Sequence, residues 1–204
     1  RSQQIFTDLN KHAVKTSNSI AELYDSRDDI AVITRSVVSK VSFLNEYTDK
    51  EKDNLGKYSS NLFTLNTFYS SIKRTIKGNT PSDSTLSFLC KYWNCVASNI
   101  IQWNELNKKE ISKVDLRENY IVTQGVVIQA IGQVGSYFIN NAEINMYEIL
   151  KGLRNIDWRR SASIWKNRVI RADGKILTSN KAILLASNQI KKEQLAGLFF
   201  FYFF

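Results

Sequence analysis

Residues 120–138 read YIVTQGVVIQAIGQVGSYF, and this run decides the fold class. It is the most apolar stretch of helical length in the chain, and neither a charge nor a proline interrupts it. Gly125, Gly132 and Gly135 stand seven and three residues apart and fall near one helical face. The spacing and the absence of a strand-turn-helix context do not match a dinucleotide fingerprint. Small residues aligned on one face let a second helix approach closely. The stretch therefore predicts a buried helix with a helical neighbour pressed against it.

Working outward, the same texture recurs. One proline and eight glycines punctuate 204 residues, which favours long helices. A short helix is expected over Ser2 to Lys11 and a polar loop over Lys15 to Ser19. Ile30, Ile33, Val37 and Val41 recur at helical spacing, with Ser26 as the expected cap. Thr48 with Glu51 three residues on matches a capping box. That pattern predicts a helix carrying Leu55, Leu62, Leu65, Phe68, Tyr69, Ile72 and Ile76, ended by Gly78 and Pro81. Ser82 or Ser84 caps a further long helix reaching Trp103, and Asn107 to Val114 reads as a connection. Asn145 to Leu153 is a short helix. Ala172-Asp173-Gly174, between Trp165–Arg171 and Lys175–Thr178, is a hairpin signal. Ser179 or Asn180 caps a last helix from Lys181 to about Leu195, with Ile183, Leu184 and Ile190 inward. The expected class is mainly α, a helical domain with a small C-terminal β-hairpin, becoming α+β if an upstream part is included. Residues 1–45, 46–150 and 151–204 are read as three successive segments, the middle one a helical bundle and the last a basic hairpin-helix unit.

The charge is distributed unevenly. The formal net charge is +9. Between Lys151 and Lys192 eleven Lys and Arg face two acids, Asp157 and Asp173, so this stretch alone carries +9. The remainder holds 17 side chains of each sign. A balanced body with one basic end is the electrostatic outline of a surface that meets a polyanion. Arg154, Arg159, Arg160, Lys166, Arg168, Arg171, Lys175 and Lys181 are the candidate DNA-binding residues. Arginine's planar fork suits phosphate, a two-stranded ribbon can enter a major groove, and Trp158 or Trp165 can stack on an opened base. The competing reading places both indoles in the core and pairs Asp157 with a neighbouring Arg.

Other chemistry is poorly provided for. Cys90, Cys95 and the single His12 do not supply the four closely spaced ligands of a structural zinc site, and the thiols read as reduced and partly buried in a cytoplasmic protein. Asp25, Asp28 and Asp29 read as helix N-terminal acids. There is no P-loop and no Ser-His-Asp arrangement, so no catalytic residue, metal or cofactor is assigned. The terminal LFFFYFF, residues 198–204, is too short to span a bilayer, which needs about 20 residues.

Three segments resemble the DndB family. They are QQIFTDLNKHAV at 3–14 with LYDSRD at 23–28, LRNIDWRR at 153–160 with Trp165, Arg168 and Gly174, and residues 180–191. The resemblance implies a bacterial DNA phosphorothioation system, in which sulfur replaces a non-bridging phosphate oxygen. It implies a cytoplasmic DNA-binding regulator, a repressor of the modification genes. Its partners would be double-stranded DNA and other phosphorothioation proteins, and it would have no membrane attachment. A homo-oligomer is compatible with this role. The Asp-Gly-Gln-His-Arg motif of the family is expected upstream of Arg1, which makes residues 1–45 the C-terminal part of that domain. Two rival readings stand beside it. In one, the chain completes a nuclease or nucleotide-hydrolysing enzyme whose motif lies upstream, with Asp8, Asn10 and His12 lining the site. In the other, the basic face docks on an acidic protein subunit.

Overall fold

The computed structural model describes residues 24–56 and 58–202, with side chains described to residue 194. In chain order the elements are α1 (Asp29–Lys40), α2 (Ser42–Tyr47), β1 (Thr48–Asp49), β2 (Phe63–Thr64), α3 (Leu65–Thr75), α4 (Asp83–Asn99), α5 (Ile101–Asn107), α6 (Lys113–Asn119), α7 (Gly125–Ile139) and α8 (Met146–Leu150). Two short 3₁₀ turns, Lys151–Asn155 and Ser163–Trp165, lead to α9 (Asn180–Tyr202). The protein is mainly α with a small β part, as the sequence predicts.

The glycine face of α7 performs the expected packing. A Cβ on Gly132 would lie 2.2 Å from Ser71 Oγ and 2.4 Å from the Ser71 carbonyl oxygen of α3, and one on Gly135 would lie 3.0 Å from Thr75 and from the Tyr92 ring. Gly125, by contrast, meets nothing closer than 3.9 Å. Close approach lets polar side chains of α3 reach across. Ser71 Oγ donates to Ile128 O at 2.7 Å and Thr75 Oγ1 to Gly132 O at 2.9 Å. From α4, Tyr92 donates to Ile131 O at 2.6 Å. These bonds satisfy buried hydroxyls that would otherwise be costly. One continuous core extends from Ile33 in α1 to Ile190 in α9.

Local chemistry moved several boundaries. The cap of α1 is Asp28, not Ser26. Its carboxylate accepts from Ile30 N at 2.8 Å and Ala31 N at 3.1 Å, and from the Tyr69 hydroxyl at 2.8 Å. The capping box at Thr48 starts no helix. Asp49 captures the N–H groups of Glu51 and Lys52 at 3.0 Å and closes an Asx turn. Thr48 and Asp49 instead pair in parallel with Phe63 and Thr64. Helix α3 begins only at Leu65, capped by Thr64 through Thr67 N. Leu55 is thus in a loop, and Leu62 is buried ahead of the helix. The long helix from Ser82 breaks at Ile100, which is extended. Asn104 of α5 turns its amide back onto the carbonyls of Ala97, Ser98 and Ile100, closing the C-terminus of α4. The presumed connection at 107–114 includes the start of α6, capped by Ser112.

Candidate nucleic-acid interface

The basic stretch is a wrapped segment without regular strands, folded around its two tryptophans. Trp158 and Trp165 are buried and stack with ring centroids 5.4 Å apart and planes at 13°. Trp158 Nε1 donates to Leu153 O at 3.1 Å and Trp165 Nε1 to Asp157 O at 2.6 Å. The reading in which these indoles stack on bases is therefore overturned, because both faces and both donors are used internally. Gly152 holds the start of the segment against α9: a Cβ there would lie 2.7 Å from Gln194 Cα.

Backbone bonds carry the segment along the rest of the fold. Ile121 N donates to Trp158 O at 3.0 Å and Arg160 N to Asn119 O at 2.7 Å, an antiparallel contact centred on Tyr120 and Arg159. Arg168, Val169 and Ile170 all donate their N–H to Trp165 O, and Asn167 adopts a left-handed φ of 58°. The Asp-Gly signal marks a true reversal. Gly174 has φ 79°, Arg171 N donates to Lys175 O at 2.8 Å, and Leu177 N to Val169 O at 2.8 Å. The expected hairpin is reduced to one antiparallel bridge, Ile170 with Ile176. The main chain of 165–170 is spent on tight turns around Trp165 and cannot supply a ladder. No two-stranded ribbon is therefore available to enter a groove. Ser179 caps α9 by accepting from Ala182 N. Ile183 and Ile190 point inward as expected, whereas Leu184 is 47% exposed and Ala182 and Ala186 take the buried positions.

Three of the eleven cations are paired with an acid nearby in sequence. Arg159 forms a forked pair with Asp157, at 2.9 Å from Nε and 2.6 Å from Nη2, and Arg171 pairs with Asp173 at 2.6 Å. The Arg159 guanidinium holds the Asp157 carboxyl below the usual carboxylate range, and Asp157 in turn raises the Arg159 value. Lys151 is bound to Glu148 at 2.8 Å. The other eight, Arg154, Arg160, Lys166, Arg168, Lys175, Lys181, Lys191 and Lys192, have no ion pair among the described residues.

Position separates them further. Arg159 and Arg160 line a groove of about 690 Å³ with Ser161, Tyr120, Ile170 and Gly174. Asp115 and Glu118 line the same groove. The Arg160 Nε is buried there without a hydrogen-bond partner. Lys166, Lys175 and Lys181 are exposed on the turns and at the start of α9, while Arg168 is half-buried and donates to Ile164 O at 3.0 Å. Arg154 is apart from this group, in a cleft lined by α4 and α8, where its Nε donates to Asn99 Oδ1 at 2.7 Å. Lys91 lines the same cleft and was not singled out in the sequence. Its signal there is an exposed polar stripe, Lys91, Asn94 and Ser98, at helical spacing between the buried Tyr92, Trp93, Cys95 and Val96. Asp8, Asn10 and His12 lie outside the described residues. Among the described residues no group of three His, Cys, Asp or Glu side chains gathers to hold a metal, and no helix is long and apolar enough to cross a membrane.

A scan against known families matches residues 1–195 to DndB, described as DNA-sulfur modification-associated. The chain belongs to the DndB family. Searches of curated proteins and of solved structures return no match. DndB membership places the protein in DNA sulfur modification, and the match covers both the basic segment and the helices that hold it.

Proposed function

We propose that this DndB-family chain is a DNA-binding regulator of the genes of a bacterial phosphorothioate modification system, acting in the cytoplasm beside the modification enzymes. The observation that carries the reading is the set of eight cations between residues 151 and 192 that have no ion pair among the described residues. Unpaired Lys and Arg on exposed turns give sequence-independent attraction to phosphates, the dominant part of affinity for duplex DNA. Arg160, Lys166, Arg168, Lys175 and Lys181 are the proposed phosphate contacts. Arg159 and Arg171 are pre-paired and contribute orientation more than charge. With the indoles buried and the hairpin lacking strands, contact is made by turns and by the first turn of α9. Base stacking has no part in it.

Footprinting over the promoter of the modification genes, with a reporter driven from that promoter, tests the proposal. Protection of the promoter and derepression by a Lys166→Ala, Lys175→Ala, Lys181→Ala triple variant are expected. Unaltered expression with a folded triple variant contradicts it.

A further inference from the structure

The cleft around Arg154 is a second cationic site, distinct from the turns assigned to DNA above. On α4, Lys91, Asn94, Cys95 and Ser98 follow one another at helical spacing and form one wall of a cleft of about 410 Å³. Lys151 and Arg154 of the 3₁₀ turn form another, and among the described residues no carboxylate lines it. Glu148 is engaged at its rim, in an exposed pair with Lys151, and such pairs contribute little and exchange readily.

Arg154 is held in place by a buried support. Asn99 is 5% exposed, donates its amide N–H to Cys95 O at 2.8 Å, and presents its oxygen to Arg154 Nε at 2.7 Å. Both ends of the Asn99 side chain are thus fixed, and the guanidinium it holds keeps its terminal nitrogens without a partner among the described residues. A positioned fork with free terminal donors, two ammonium groups on the same cleft and no lining acid together match the needs of a phosphate ester.

Lys91 and Tyr147 also line a neighbouring cleft of about 680 Å³, walled by Phe88, Phe138, Ile144 and Met146. The two share that edge, so a polar, cationic compartment opens beside an aromatic and aliphatic one. Tyr147 is 50% exposed at the boundary. This pairing suits a ligand with an anionic head and a flat apolar body.

We propose that the paired clefts bind a nucleoside phosphate unit, its phosphate held by Arg154, Lys151 and Lys91 and its base lodged against Phe88, Phe138 and Tyr147. The unit has two sources, a free nucleotide or a nucleotide of a DNA strand.

Isothermal titration of the full chain with AMP, adenosine, inorganic phosphate and a single-stranded oligodeoxynucleotide tests this. Saturable AMP binding is expected, tighter than adenosine or phosphate. Arg154→Ala and, separately, the surface change Lys91→Ala should each weaken it, Arg154→Ala by about tenfold or more, as for loss of charge-assisted hydrogen bonds. Lys175→Ala should leave it unchanged, which separates this site from the duplex-binding turns. Displacement of AMP by the oligonucleotide identifies a strand nucleotide as the source, and retention identifies free nucleotide. Absence of saturable AMP binding, binding no tighter than inorganic phosphate alone, or binding that both variants leave intact would each overturn the proposal.

Discussion

Trp158 and Trp165 lie face to face at 5.4 Å, each with its indole N–H bonded to the backbone between Leu153 and Asp157. The pair is the organising centre of the basic segment: the chain from 153 to 170 bends around it, with Arg159 and Lys166 left exposed and Arg160 and Arg168 half-buried. All four tryptophans of the protein are at most 1% exposed.

Titration with duplex DNA is therefore expected to leave tryptophan emission unquenched, since no indole is available to a base. Trp165→Ala should cost about 3–5 kcal/mol of stability, the usual price of emptying a large aromatic site. Urea unfolding measures the second outcome. Strong quenching by duplex DNA in the folded protein would contradict the first.

Gly132→Ala places a Cβ against the Ser71 carbonyl, where a backbone atom must move. A loss of about 2 kcal/mol or more is expected, read from the urea midpoint. Gly125→Ala is the control. It meets nothing closer than 3.9 Å, so it should change stability by less than about 1 kcal/mol.

The spacing of Gly132 and Gly135 made the α3–α7 contact partly legible in the sequence, because a helical face of small residues has few other uses. The same sequence misled at Thr48, whose spacing to Glu51 imitates a capping box. Asp49, one residue later, competes for the same backbone N–H groups and wins. The hairpin signal at Asp173-Gly174 correctly located a reversal but not its lack of strands, since only tertiary packing reveals that the preceding main chain turns onto Trp165 O. For the interface, the excess of cations could be read from composition. Of the neutralised cations, only the pairing of Asp157 with a neighbouring Arg was read from the sequence; Arg171 with Asp173 and Lys151 with Glu148 emerged from the structure. That Arg154 belongs to a different cleft depends on Asn99, 55 residues away, a contact that no local pattern encodes.

Asp28 joins α1 to α3 through its cap and the Tyr69 hydroxyl. Burial raises its pKa, but the hydrogen bonds from Tyr69, Ala31 and Ile30 outweigh burial and hold it below the ordinary 3.8. Its contribution is complete above that value and is lost as pH falls through the folded one. Asp28→Ala should cost about 1 kcal/mol at pH 7, and the gap to the parent protein should narrow in urea unfolding near pH 2. An equal gap at both pH values would count against the charged cap.

Asp157→Asn keeps an acceptor for Arg159 N but removes the charge that neutralises its guanidinium. Affinity for duplex DNA should rise severalfold at low salt, with one further phosphate contact steepening the salt dependence by about 0.9. Fluorescence anisotropy with a labelled duplex checks it, and weaker binding would show that the pair itself is needed.

The most direct measurement is the affinity of the full chain for a labelled duplex over a series of salt concentrations. With Arg160, Lys166, Arg168, Lys175 and Lys181 as phosphate contacts, log K should fall with log salt with a slope of about −4.5, and Lys175→Ala should reduce the slope by about 0.9. A slope near zero, or one that the removal of Lys166, Lys175 and Lys181 leaves unaltered, would contradict the assignment of this segment to DNA.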